Sequence, residues 1–235
     1  MPAIPAPDNP RWQLAERVTD AVRRRFSADV LAIGVHGALA HGDDADDSDV
    51  DLVVVTHRYG DGPRPATRRV EGLVVDLGVI AADEYLGHAR TLSTGWPLAA
   101  DQYLTTAATF DPDGWYELLR DTHLARLAEA APAEFTALAR EAWYGAYSAQ
   151  SRARRLAVWH DTDAGLVALS AARVGAAVVE GLLSRTYFRD PPDAVRRTGL
   201  AGVPMAELTE RLAAQAAELT RRSRPVDGSV ADLFD

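Results

Sequence analysis

The chain has 235 residues, of which 47% are apolar and 25% charged, and it contains no cysteine. It therefore has no disulfide framework, and without an unbroken run of about 18 apolar residues the sequence predicts no membrane span. All 25 basic residues are arginine, which excludes a P-loop lysine, a Schiff-base lysine and a lysine general base. These properties indicate a soluble globular protein. No basic segment followed by an apolar stretch opens the sequence, so we expect a cytoplasmic location.

The formal charge of −9 is concentrated in the first half of the chain. Residues 1–120 carry 11 Arg against 19 Asp and Glu, whereas residues 121–235 carry 14 against 15. Nucleic-acid binding depends mainly on Lys and Arg side chains that neutralise phosphates. The sequence therefore predicts no nucleic-acid partner, and an acidic cleft is better suited to metal ions or to a cationic small molecule.

Hydrophobic periodicity separates a β-rich first half from a helical second half. Apolar residues repeat every four positions from Leu14 to Phe26, which predicts a helix, and strand-like apolar runs follow at 30–35, 49–55 and 73–80. Helical periodicity then covers 113–128, 133–160 with a possible break at Gly145, 164–187 and 205–222. We therefore expect an α+β protein in which a small mixed β-sheet domain with helices, residues 1–120, precedes a C-terminal helical bundle, residues 121–235.

Three aspartates on the predicted strands are candidates for a metal site. Asp49 and Asp51 are two residues apart, so on a strand they point to the same face, and such a pair is costly unless a cation lies between its charges. Mg²⁺ prefers carboxylate oxygens together with substrate phosphates, and two ions can clamp the oxygens of a phosphoryl-type transfer. Asp76 lies within an apolar strand and needs a partner. If its strand neighbours that of Asp49 and Asp51, Asp76 completes the site or accepts a proton from an attacking hydroxyl.

Other polar residues allow more than one interpretation. An isolated Asp-x-Asp usually marks a solvated turn. The acidic segment before Asp49, with aspartates at 43, 44, 46 and 47, is expected to be a solvated loop. Glu141 and Tyr144 lie three residues apart on one face of a predicted helix, which is either simply exposed or contacts a substrate.

Gly37-Ala38, followed by Asp49-x-Asp51 and by Asp76 on a later strand, resembles the signature of the DNA polymerase β type nucleotidyltransferase superfamily. Within it, residues 32–39 and 48–51 and the segment Gly95-Trp96-Pro97-Leu98 resemble kanamycin nucleotidyltransferase, an aminoglycoside resistance enzyme. The resemblance implies transfer of AMP from ATP to a hydroxyl of a small molecule of the aminoglycoside type, with release of pyrophosphate. It also implies two Mg²⁺ ions and a homodimer with active sites across the subunit interface.

The resemblance implies roles for individual residues. Asp49, Asp51 and Asp76 would hold the metals, and Gly37 would let the backbone approach the triphosphate of ATP, beside Ala38 and His41. Glu141, with Tyr144 as the alternative, would line the acceptor pocket and serve as general base, and Asp76 would also face the substrate.

The chain departs from the family at two positions near the glycine turn. The family usually has serine at the position of Ala38, where its hydroxyl contacts phosphate, and a basic residue at the position of His41. These departures leave two alternatives open. One is a nucleotidyltransferase with a different acceptor, such as a natural-product intermediate or a protein, and the other is a non-catalytic, antitoxin-like regulatory protein of the same fold.

Overall fold

A computed structural model describes residues 8–233, which divide into two compact units. The first comprises residues 8–91 and 101–129, and the second comprises 92–100 and 130–233. The sequence-based boundary after residue 120 falls within a helix of the first unit, Trp115–Glu129. This helix stays with the first unit because Leu119 and His123, both fully buried, pack there. The short segment 92–100 had not been expected to join the second unit.

The first unit is built on a five-stranded mixed sheet of β1 (Val30–His36), β2 (Val50–Thr56), β3 (Ala66–Val70), β4 (Leu73–Ala81) and β5 (Ala107–Phe110), in the strand order β3-β4-β2-β1-β5. Strands β2 and β4 are parallel, and the other neighbouring pairs are antiparallel. This confirms the expected α+β class with a small mixed sheet. The helices of this unit are α1 (Pro10–Phe26), α2 (Gly37–His41), α3 (Ala82–Ala89), α5 (Asp101–Thr105) and α6 (Trp115–Glu129).

Both faces of the sheet are covered, which explains the nearly continuous apolar sequence of β2. On one face, Leu52 and Val54 join a buried cluster with Trp12 of α1. On the other, Val53 and Val55 join an aromatic cluster supplied by α3, α5 and α6. Successive side chains of a strand point to opposite faces, so Asp51 projects on the same side as Val53.

The second unit is helical, as expected. Its elements are α4 (Trp96–Ala99), α7 (Pro132–Val158), α8 (Thr162–Ser184), α9 (Pro191–Arg197), α10 (Met205–Arg222) and a short 3₁₀ helix (Val230–Leu233). Helix α7 runs without a break through Gly145, although the sequence allowed an interruption there. Helices α7 and α8 pack closely at Gly175, where there is no room for a side chain. A Cβ added at this position would lie 2.8 Å from the Cβ of Ala146.

Helix α8 is also long and apolar, with a mean hydropathy of 1.7 over an 18-residue window. Length and composition alone would let it cross a membrane, but the core helices of helical bundles meet the same criterion. The neighbouring segment 92–100 is held inside the second unit by Trp96, whose ring centroid lies 5.3 Å from that of Phe135. In addition, the backbone N–H of Phe188 donates to the carbonyl of Pro97 at 2.7 Å.

Candidate functional site

Four polar side chains form a row across the sheet where β2 begins. The register opposes Asp51 of β2 to His36 of β1 on one side and to Asp76 of β4 on the other. Asp76 is in turn opposed to Thr67 of β3. Directly opposed residues on neighbouring strands point to the same face. The strand of Asp76 is thus the direct neighbour of the strand that follows Asp49, which is the condition that the sequence analysis required.

Asp51 is the most enclosed of the three aspartates. It is half-buried, whereas Asp49 and Asp76 are exposed. Burial raises the pKa of the Asp51 carboxyl above its usual value. Coulombic attraction to His36 acts against this shift of the Asp51 pKa, and repulsion from Asp49 and Asp76 adds to it. The three carboxylates therefore interact electrostatically, and a cation between them would relieve the repulsion.

Gly37 forms the turn beside Asp51. It has a φ of +70°, in the left-handed region that favours glycine, and a Cβ built there would lie 2.6 Å from Oδ2 of Asp51. Any side chain at this position would therefore be strained and would collide with the carboxylate. The next residue, Ala38, has only a methyl group, and its carbonyl accepts the N–H groups of Gly42 and Asp43 that close α2. The backbone of this turn therefore lies directly against the Asp51 carboxylate, and both Gly37 and Ala38 are partly exposed.

Thr67 is a residue of this row that the sequence analysis missed. Its hydroxyl donates to Oδ1 of Asp76 at 2.6 Å and so orients that carboxylate. The strand that carries it, β3, lies in a stretch rich in Gly, Pro and Arg between the predicted strands at 49–55 and 73–80, where the sequence analysis predicted no strand. Three consecutive exposed polar residues, 67–69, hide the alternation that would have indicated a strand.

His41 has a partner that the sequence did not reveal. Its Nε2 lies 3.1 Å from Oδ1 and 2.9 Å from Oδ2 of Asp101, at the start of α5. The side chains of the two residues are only 12% and 8% exposed. The resemblance placed His41 beside the triphosphate, whereas in the structure its Nε2 contacts a carboxylate of the protein itself.

The acidic loop before Asp49 is anchored rather than simply solvated. Asp44 is 8% exposed in its side chain, and its Oδ2 lies 3.5 Å from a terminal guanidinium nitrogen of Arg11. The Nδ2 of Asn9, the N-cap residue of α1, donates to the same oxygen at 3.0 Å. Arg11 Nε also donates to the carbonyl of Ser48 at 3.0 Å. The start of α1 therefore holds the chain immediately before Asp49.

The two remaining predicted site residues lie on α7, in the second unit. Glu141 and Tyr144 are both exposed, and the hydroxyl of Tyr144 donates to the carbonyl of Val226 at 2.8 Å. The buried Arg140 donates to the carbonyl of Pro225 at 2.7 Å. Tyr144 and residues 224–230 line a cleft of about 680 Å³. Because its proton already binds a carbonyl, Tyr144 is a poorer candidate for a general base than Glu141.

The carboxylate oxygens of the three aspartates fit Mg²⁺, which prefers hard oxygen ligands. In the part of the chain that the structure describes, no three His, Cys, Asp or Glu side chains are already gathered to hold a metal ion. Mg²⁺ does not require such a cage, because it usually keeps several waters and binds one or two carboxylates together with substrate phosphates. Asp49, Asp51 and Asp76 are the residues that would hold it.

Comparisons with known proteins give matches among solved structures alone. No protein-family model and no curated protein matches the chain. Among solved structures, the chain is similar to a nucleotidyltransferase-like protein from Exiguobacterium sibiricum 255-15, with 14% sequence identity and a TM-score of 0.45. The similarity covers 88% of this chain and 74% of that protein.

Proposed function

We propose that the protein is a Mg²⁺-dependent nucleotidyltransferase that moves AMP from ATP to a hydroxyl of a small molecule. The observation that carries this proposal is the placement of Asp51 directly opposite Asp76, with the backbone of Gly37 against the Asp51 carboxylate. Three interacting carboxylates beside an open glycine turn suit a metal-bound triphosphate. A protein that only binds another macromolecule gains nothing from retaining this mutual repulsion.

In the proposed reaction, the acceptor hydroxyl oxygen forms a bond to the α-phosphorus, and the bond between that phosphorus and the pyrophosphate oxygen breaks. The hydroxyl proton passes to a carboxylate of the protein. Asp76, oriented by Thr67, is the candidate in the first unit, and Glu141 is the alternative that the resemblance implies. Bound Mg²⁺ would neutralise the charge that develops on the phosphate oxygens. The contribution of the chain is positioning and electrostatics.

The acceptor is proposed to be a hydroxylated small molecule of the aminoglycoside type. The acidity of residues 1–120 is suited to a cationic acceptor. Within residues 140–145 of α7 the chain offers one glutamate, Glu141, where the family has several along the helix, so a different hydroxylated antibiotic or natural-product intermediate is the competing acceptor.

A pyrophosphate-release assay tests the proposal. It is run with Mg²⁺ and each of the four nucleoside triphosphates, with and without a panel of aminoglycosides and other hydroxylated antibiotics. We expect release that requires an acceptor and prefers ATP. Asp49→Asn and Asp51→Asn should abolish release without loss of folding, and Asp46→Asn, in the exposed part of the same acidic loop, is the matched control. Full turnover in both site variants would overturn the metal assignment.

One set of observations favours a second candidate, a non-catalytic protein of this fold. The Nε2 of His41 contacts Asp101, and the side chain of Ala38 offers no hydroxyl. That candidate predicts binding of Mg·ATP without pyrophosphate release across the acceptor panel. Asp51→Asn should then leave binding to a partner protein unchanged.

A further inference from the structure

The proposed reaction gives no role to the contact between His41 and Asp101. Both carboxylate oxygens of Asp101 lie within 3.1 Å of the same ring nitrogen of His41, and both side chains are almost fully enclosed. An ionised carboxylate can only accept hydrogen bonds, so Nε2 carries the hydrogen. Burying such a pair costs desolvation free energy and is weak evidence for stability alone. The pair joins the end of α2 to the start of α5, which points to a role in positioning α2.

Helix α2 is the element that this pair holds. It has only five residues, Gly37–His41, and so few residues do not form a stable helix by themselves. Its first residue is the glycine that lies against Asp51, and its last is His41. A contact at His41 therefore fixes the end of the same short element that presents Gly37.

Asp101 provides a firm base for this contact. It is 6% exposed and begins α5, where the chain returns from the second unit to the first. Two residues further on, the ring of Tyr103 lies 4.9 Å from that of the buried His123 and 5.8 Å from that of Tyr85. The carboxylate thus extends from a helix that is packed into the aromatic cluster of the first unit.

We infer that His41 and Asp101 form a positioning pair that fixes α2, and with it the turn at Gly37, for binding of the nucleotide triphosphate. This inference rests on the proposed function. It assigns His41 no direct contact with phosphate, because its Nε2 donor is directed at Asp101. Any positive charge on the imidazole is balanced by that carboxylate, so His41 adds no net positive charge at the triphosphate.

Two measurements on the full-length protein test the inference: the Kd for Mg·ATP by isothermal titration calorimetry and the hydrogen–deuterium exchange of the amides of residues 37–43. His41→Ala and Asp101→Ala are each expected to weaken Mg·ATP binding by about 10- to 100-fold and to speed exchange in this segment. The double variant should bind no more weakly than either single variant, because the two residues act as one unit. His41→Gln keeps an N–H donor near the position of Nε2 and should restore most of the affinity. Asp101→Asn provides the same test where Asp101→Ala does not fold.

Thr56→Val is the matched control. Thr56 is buried at the opposite end of β2 from Asp51, and its hydroxyl donates to the carbonyl of Arg58 at 3.0 Å. The substitution should lower the Tm but leave the Kd and the exchange of residues 37–43 unchanged.

Three results would overturn the inference. They are weakened binding in His41→Ala without the same effect in the Asp101 variants, additive losses in the double variant, and unchanged exchange of residues 37–43 in all variants. If the wild-type protein binds no Mg·nucleotide, the proposed function fails. The exchange data then decide by themselves whether the pair fixes the turn.

Discussion

Replacing Asp51 by asparagine should stabilise the first unit at neutral pH while removing a proposed metal ligand. Neighbouring strands lie about 4.8 Å apart, so two opposed charges repel by about 3.5 kcal/mol at a dielectric constant of 20 and by about 0.9 kcal/mol in water. Asp49 and Asp76 are exposed, so the lower figure applies. Burial of the Asp51 charge adds to this penalty, and the attraction of His36 offsets part of it. We expect Asp51→Asn to raise the free energy of unfolding by about 1 kcal/mol, or the Tm by about 2–4 °C.

The effect should depend on pH with a defined sign. The folded-state pKa of Asp51 is raised above the ordinary value of 3.8, so the folded protein holds this proton to higher pH than the unfolded chain does. The contribution of Asp51 to the stability of the wild type therefore falls as the pH rises from 3.8 through the raised pKa. The Tm difference between Asp51→Asn and the wild type should be absent below pH 3.8. It should increase between pH 3.8 and the raised pKa of Asp51 and remain constant at higher pH.

Thermal unfolding followed by circular dichroism between pH 3 and pH 8, in the presence of a chelator, measures this difference. Asp46→Asn removes a charge from an exposed position and controls for the general effect of lowering the net charge of −9. A Tm for Asp51→Asn that is lower than that of the wild type at neutral pH, or a gain no larger than that of Asp46→Asn, would refute the argument that the three carboxylates repel one another.

Three further substitutions test the surroundings of the site. Gly37→Ala should abolish Mg·ATP binding and lower the free energy of unfolding by about 1–3 kcal/mol, since it forces a side chain into a left-handed conformation and against a carboxylate; calorimetry and urea unfolding measure the two effects, and wild-type affinity would contradict this. Arg11→Ala should cost about 1–3 kcal/mol in urea unfolding, because Asp44 stays buried with one partner fewer; a loss under 0.5 kcal/mol would argue against an anchored loop. Tyr144→Phe should make residues 224–230 more sensitive to limited proteolysis by removing the hydrogen bond to Val226, and unchanged cleavage would show that this bond does not hold the segment.

The strands that carry the candidate site could be predicted because their local pattern is strong. Val50–Thr56 and Leu73–Ala81 are runs of mostly β-branched or aliphatic residues, which favour buried strands whatever their neighbours. Asp76 interrupts such a run, which made it a candidate in the sequence, although the structure shows that its side chain is exposed and not buried. The sequence could not show that these strands pair in parallel with Asp51 opposite Asp76, because register depends on the whole sheet.

The parts that were missed depend on contacts between residues distant in sequence. The His41–Asp101 pair joins positions 60 residues apart, and no local pattern marks either partner. Asp44 looks like its solvated neighbours and is buried only because Arg11 and Asn9 reach it from α1. The short strand β5 has four residues, too few for a periodicity to be read. The expected homodimer and the cytoplasmic location remain predictions of the sequence.

The central claim is that Asp49, Asp51 and Asp76 bind a divalent metal ion together with a nucleotide. Mn²⁺ binding followed by electron paramagnetic resonance tests this claim most directly. Mn²⁺ is titrated into the protein with and without a non-hydrolysable ATP analogue, using the wild type, Asp51→Asn, Asp76→Asn and the control Asp46→Asn. The account predicts that the wild type and Asp46→Asn bind Mn²⁺ more tightly when the nucleotide analogue is present. It predicts that both site variants lose this nucleotide-dependent binding. Equal Mn²⁺ binding in Asp51→Asn, Asp76→Asn and the wild type would contradict the claim.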